Sequence, residues 1–192
     1  MLSDIKRKVR ALVEDFNISA SEQFIYTLSS IFRVCSSNIS SIELVTVNGS
    51  ELGSADYSFN TTIGQLTIYS HLVDGDIIDV SFVYNKYSES EIEGYITSSL
   101  VYISTLTNCA DTDFELEETE IYPTPSNKEE DLIALIAGII INPNYSSYSL
   151  PNVRVSYPNE MSKIDRITKT IKGFYRSSGV MSNIVIEWLG NV

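Results

Sequence analysis

The chain has 192 residues, 43% of them hydrophobic, and a formal net charge of −12 from 13 basic and 25 acidic side chains. That length and apolar content suit one or two globular domains. The charge argues against general nucleic-acid binding, which needs clustered cations. Two cysteines, Cys35 and Cys109, provide neither a disulfide framework nor a metal spacing, and are expected as buried small hydrophobes. The charge is uneven: residues 1–16 carry a net +1, residues 17–131 a net −16 and residues 132–192 a net +3. The two basic ends therefore suggest contacts with an acidic partner or a DNA-facing surface.

The first turn of the chain is basic but lacks an apolar core long enough for a signal peptide, so synthesis in the cytoplasm is expected. Residues 3–16 predict an amphipathic helix, capped by Ser3 or Asp4, with Ile5, Val9, Leu12, Val13 and Phe16 at helical spacing. From Phe24 to Asn85 the pattern changes to short runs rich in Val, Ile, Thr, Tyr and Ser. Strands are predicted over Phe24–Leu28, Ile31–Val34, Ile42–Val47, Tyr57–Phe59, Gln65–Tyr69 and Ile77–Tyr84. Asn48-Gly49, Asn60–Gly64 and Asp74-Gly75-Asp76 are the turns between them. Such spacing predicts a small antiparallel sandwich or open barrel.

Helical periodicity returns at Ser88, which has capping-box spacing to Glu91. Ile92, Tyr95, Ile96, Ser99, Leu100, Ile103 and Leu106 then share a face. Residues 111–120 read as an acidic loop. A third helix is announced by Asn127 and Glu130 as cap and reciprocal partner, runs apolar on every side from Leu132 to Ile141, and stops at Asn142-Pro143. Three acids in its first turn suit the helix dipole. The run is too short to cross a bilayer, which takes about twenty residues. It must therefore be buried all round, by its own chain or by other subunits.

Residues 142–151 read as a polar, Tyr/Ser-rich connection, and Val153–Tyr157 as a strand. Ser162 and Asp165 open a last helix. Its expected inward face is Ile164, Ile167, Ile171 and Phe174, and its expected outward basic face is Lys163, Arg166, Lys169, Lys172 and Arg176. Ile184–Leu189 predicts a final strand, apolar on both faces, with Ile184, Ile186 and Trp188 on one of them. After the Ser177-Ser178-Gly179 linker it is expected to pair with another chain, Trp188 being the anchor. The predicted class is thus α+β. A helical core of about four helices, from residues 1–20 and 86–192, carries an inserted β module over residues 21–85 and ends in a strand.

Chemistry-bearing patterns are sparse. The one histidine, His71, sits at a turn with no neighbouring nucleophile, and there is no glycine-rich phosphate loop. Asp111, Asp113 and Glu115 have the spacing that opens a calcium loop, but its turn glycine and distal glutamate are missing. No catalytic, cofactor-binding or metal-ligating residue is assigned, and an enzyme is not expected. The twelve tyrosines are a composition that favours protein interfaces.

Val45-Thr46-Val47-Asn48-Gly49, Tyr57-Ser58-Phe59-Asn60 and the run from Asp74-Gly75-Asp76 to Tyr84 resemble the small β modules of tailed-phage structural proteins. Several later segments are similar to phage head–tail connector (adaptor or neck) proteins. These are Tyr87–Ile96, the acidic loop around Phe114, Pro123-Thr124-Pro125, the Glu129–Ala134 helix start, and the segment from Leu150-Pro151-Asn152 to Tyr157-Pro158. The resemblance covers about residues 42–176 and implies several things. The chain would be a structural virion protein made in the host cytoplasm and placed at the head–tail junction. It would form a homo-oligomeric ring, typically of twelve, with a portal protein and a tail or neck protein as neighbours. Non-specific contact with DNA in the channel, no cofactor and no membrane complete the expectation. The competing reading is an adhesin-like or carbohydrate-binding β module on a helical base.

Overall fold

The computed structural model describes residues 1–107, 113–175 and 185–188. These residues form four helices and several small antiparallel sheets, a mixed α+β fold. The chain divides into two compact units, Met1–Glu14 with Glu89–Val192, and Asp15–Ser88.

The first unit is built around the apolar helix. Helix α1 (Leu2–Leu12), α2 (Glu89–Thr107), α3 (Asn127–Ile141) and α4 (Lys163–Tyr175) are joined by a hairpin, β8 (Glu115–Glu117) with β9 (Glu120–Tyr122). A three-stranded sheet, β10 (Ser147–Leu150), β11 (Val153–Ser156) and β12 (Val185–Trp188), completes it. Helix α3 packs against α1, α2, α4 and β10, and every residue from Asp131 to Ile139 is buried. The chain itself therefore supplies the cover that this helix demands. Ile5, Val9 and Leu12 of α1 and Ile92, Ile96, Leu100 and Ile103 of α2 are buried as their periodicity predicts. Gly138 permits the closest approach. A Cβ there would lie 3.3 Å from Leu12 Cδ1 and 3.6 Å from Tyr148 Cδ1, so the glycine costs helix propensity but lets α1 and β10 seat against α3.

Several local expectations are corrected. The α3 cap lies one residue earlier, at Ser126. Its Oγ accepts from Glu129 N at 3.4 Å while Glu129 Oε2 accepts from Ser126 N at 2.7 Å, a complete capping box. Glu130 is thereby released for an ion pair. Helix α1 starts at Met1 with no side-chain cap, and ends at Val13 before Phe16, which is 47% exposed. Part of the acidic loop is the β8–β9 hairpin, turned by Glu118 at a positive φ of 50°. The polar connection after α3 contains β10, because Tyr148 and Leu150 alternate inward between exposed serines.

In the second unit, β1 (Ile18–Ile25), β7 (Ile77–Tyr84), β3 (Ile39–Val47) and β4 (Ser50–Glu51) form one antiparallel sheet in the order β1-β7-β3-β4. A second sheet has β2 (Ile31–Arg33), β6 (Gln65–Ile68) and β5 (Tyr57–Asn60) in the order β2-β6-β5. Phe32, Leu66 and Ile68 from the smaller sheet and Val45, Ile78, Val80 and Phe82 from the larger share one core, a small sandwich. The first strand begins at Ile18, six residues before the expected Phe24. Its side chains alternate between half-buried and exposed along its whole length, and the register runs unbroken from Ile18 opposite Tyr84 to Ile25 opposite Ile77. Asn48-Gly49 turns β3 into β4 with φ of 52° and 79°, the conformation that this dipeptide favours.

Candidate functional site

The sequence pointed to two surfaces, the basic face of α4 and the last strand. Within α4 the buried face is Arg166, Ile167, Thr170 and Ile171, and the expected assignment of two residues is reversed. Arg166 is 1% exposed, whereas Ile164 is 64% exposed. The guanidinium is held by backbone carbonyls. Nε donates to Met161 O at 3.0 Å, one terminal nitrogen to Tyr145 O, and the other to Pro158 O at 3.3 Å and Asn159 O at 3.4 Å. It also lies over the Tyr157 ring, 5.3 Å from the centroid, a cation–π contact. Arginine's planar fork of donors fits this cluster of acceptors. The signal available in the sequence was that Arg166 stands at the same helical spacing as Ile167, Thr170 and Ile171. Tyr148 and Tyr157 pack edge-on at 6.0 Å in the same region. Burial pushes the Tyr148 phenol up to about 12 and raises Tyr157 further.

Lys172 is exposed, Lys163 and Lys169 are half-buried, and none of the three has an ion-pair partner among the described residues. Arg176 lies outside the described residues, as do Ile184 and the Ser177-Ser178-Gly179 linker.

The last strand was expected to pair with another chain. Instead β12 pairs antiparallel with β11 of its own chain, Val155 opposite Ile186 and Val153 opposite Trp188. The reason is that β11 would otherwise present an open edge beside buried Val153 and Val155, and the returning C-terminal segment satisfies it. Ile186 is half-buried.

The basic N-terminus also finds its acidic partner at home. Lys6 Nζ lies 3.0 Å from Glu89 and 2.6 Å from Glu93; Arg10 lies 2.8 Å from Glu89. Lys8 Nζ lies 2.9 Å from Glu130 and 2.7 Å from Asp131, which is 2% exposed. The Asp131 Oδ1 contact has the distance of an ion pair but not the angle of a hydrogen bond. Burial lowers the Lys6 and Lys8 ammonium groups, but the hydrogen-bonding carboxylates outweigh it, so both titrate above the ordinary lysine value. Burial likewise raises Glu89, and the bonds from Lys6 and Arg10 outweigh it and hold the group low.

A surface that the periodicity did not reveal lies at one end of the β unit. Ile25, Leu28, Ile31, Tyr69, Val73 and Ile77 are exposed there by 62, 93, 53, 64, 59 and 40%. Register and turn bonds bring these segments to the same end: Ile25 is opposite Ile77, Tyr26 N donates to Asp76 O at 2.8 Å, Gly75 N to Tyr26 O at 3.0 Å, and Ile68 N to Ser30 O at 3.0 Å. Asp76 locks the turn. Its carboxylate accepts from Val73 N and from Asn48 Nδ2, each at 2.7 Å, and the first of these bonds contributes most to holding its pKa low. A cleft of about 430 Å³ opens at this end between Tyr26, Ser30, Ile68, Tyr69, Ser70, His71 and Leu72. His71 is exposed, as expected of a turn residue.

Cys35, expected to be buried, is exposed; its N–H donates to the Glu22 carboxylate at 3.0 Å. Cys109 lies outside the described residues, as does Asp111 of the calcium-like spacing; Asp113 and Glu115 are exposed. Among the described residues no group of three His, Cys, Asp or Glu is placed to hold a metal ion, and no helix is long and apolar enough to cross a membrane. No family model matches this sequence, and no curated protein is similar to it.

Proposed function

We propose that this chain is a structural subunit of the head–tail connector of a tailed phage, assembling as a homo-oligomeric ring between the portal and the tail. The resemblance of residues 42–176 to connector proteins supports the reading and brings with it a twelve-membered ring, portal and tail or neck partners, and passage of DNA through the channel. The observation that carries it is the exposed apolar end of the β unit around Leu28 and Tyr69. Exposed apolar side chains gathered at one end of a unit suit a protein–protein contact. The buried α3 does not contribute to this argument, since its own chain covers it.

Electron microscopy of the purified full chain tests the proposal. Particles far above the 21.5 kDa of one chain, with cyclic symmetry, are the expected result. A protein that stays monomeric at every concentration, with and without a portal, would sink it. A second reading, carbohydrate binding, is favoured by the cleft lined by Tyr26, Tyr69 and His71, because aromatic faces in a cleft suit sugar rings. It predicts a glycan-dependent shift of signals from those residues in a protein that forms no ring.

A further inference from the structure

We infer that the exposed end of the β unit docks a second copy of this chain, through the solvent face of that copy's α4. The inference rests on the ring reading and names the surfaces that would join its subunits. The β unit contains eight acidic residues and two basic ones, Arg33 and Lys86. Neither cation is among the exposed apolar residues: Arg33 is the last residue of β2, two positions beyond Ile31, and Lys86 follows β7 at the end away from Ile77. The apolar end therefore carries Glu51, Asp56, Asp74 and Asp76 without a lysine or arginine. Its docking partner must be apolar at the centre and cationic around it.

The solvent side of α4 has that chemistry. Ile164 is 64% exposed and shares the helix with Lys163, Lys169 and Lys172, whose charges are unpaired among the described residues. The cations of α1 are already paired within their own unit, so they do not compete for this role. Leu28 supplies the second indication on the acidic side. It is 93% exposed and has a φ of 145°, a region that an L side chain rarely adopts and that glycine takes without strain. A leucine held there against its conformational preference, and pointed at water, is explained by a surface that covers it. Two unlike patches on one chain make a heterologous contact, the kind that generates a ring when its rotation closes.

The test is sedimentation velocity of the full chain over a range of concentrations, at low and high salt. Wild-type association should weaken as salt rises. Leu28→Gly should melt no lower than wild type, since glycine relieves the backbone. It should associate roughly tenfold more weakly, as should Glu51→Lys with Asp74→Lys, and Lys169→Glu with Lys172→Glu. Mixing the two charge-reversed proteins should recover the tenfold that each has lost alone. Rings that form equally well from all these variants would overturn this contact and leave the connector reading standing. A wild-type chain that never associates would overturn both.

Discussion

Helices α1 and α4 look alike as sequences. Each is short, basic and amphipathic, and each packs against α3. Their cations nevertheless do different things. In α1, Lys6, Lys8 and Arg10 reach carboxylates of α2 and α3 within the same unit. In α4, Arg166 turns inward onto backbone carbonyls, while Lys163, Lys169 and Lys172 stay unpaired among the described residues. The comparison teaches that a basic stripe has no role of its own. What faces it decides whether it is internal scaffolding or an available surface.

Breaking the element that both helices lean on should have the largest effect. Ile136→Asp places an unpaired carboxylate in a fully buried position and should cost about 5 kcal/mol, a large share of a typical domain's roughly 5–15. Insoluble protein, or a steep fall in melting temperature, is the expected outcome; an unchanged melt would mean that α3 is not enclosed. Arg166→Met comes next. Leaving four carbonyls without their donor should cost roughly 3 kcal/mol in urea unfolding, and Arg166→Lys should recover little of it because an ammonium cannot present the same fork. Full stability of the lysine variant would show that charge alone matters at this site.

Lys8→Met should cost about 2 kcal/mol, because Asp131 remains buried without its counter-charge, and adding Asp131→Leu should return much of that loss. The effect also has a pH signature. The folded-state pKa of Lys8 is raised, so its contribution is complete below the ordinary lysine value and fades as pH rises through the raised one. The wild-type advantage over Lys8→Met should therefore shrink at strongly alkaline pH. The buried tyrosines titrate in both proteins and cancel in the difference. The smallest effect belongs to the exposed side of α4. Lys169→Gln with Lys172→Gln should change stability by no more than about 0.5 kcal/mol, so any loss of assembly in that variant reports on an interface.

Much of the architecture was legible as period and punctuation. The four helices, the β module between the first two, and the Asn48-Gly49 and Asp74-Gly75 turns follow from alternation, helical spacing and glycine's access to positive φ. Less of the site was legible. Arg166 was read as a surface cation, although its spacing with Ile167 and Ile171 places it on the buried face. The exposed apolar end of the β unit is not legible in the sequence at all. Its residues belong to five segments from Ile25 to Ile77 and share no local pattern, so only strand register assembles them.

The sequence by itself determined the α+β class, the order of the four helices with the β module between the first two, and the obligation to bury α3, because these depend on local periodicity and on the absence of polar side chains from Leu132 to Ile141. Tertiary structure decided who meets that obligation and which charges remain available. The cover of α3 comes from α1, α2, α4 and β10, and the last strand pairs with β11. The physical reason is that burial and hydrogen bonding are satisfied by whatever lies adjacent in space. A one-dimensional pattern states the need for a partner, and only the packed chain supplies the partner's identity.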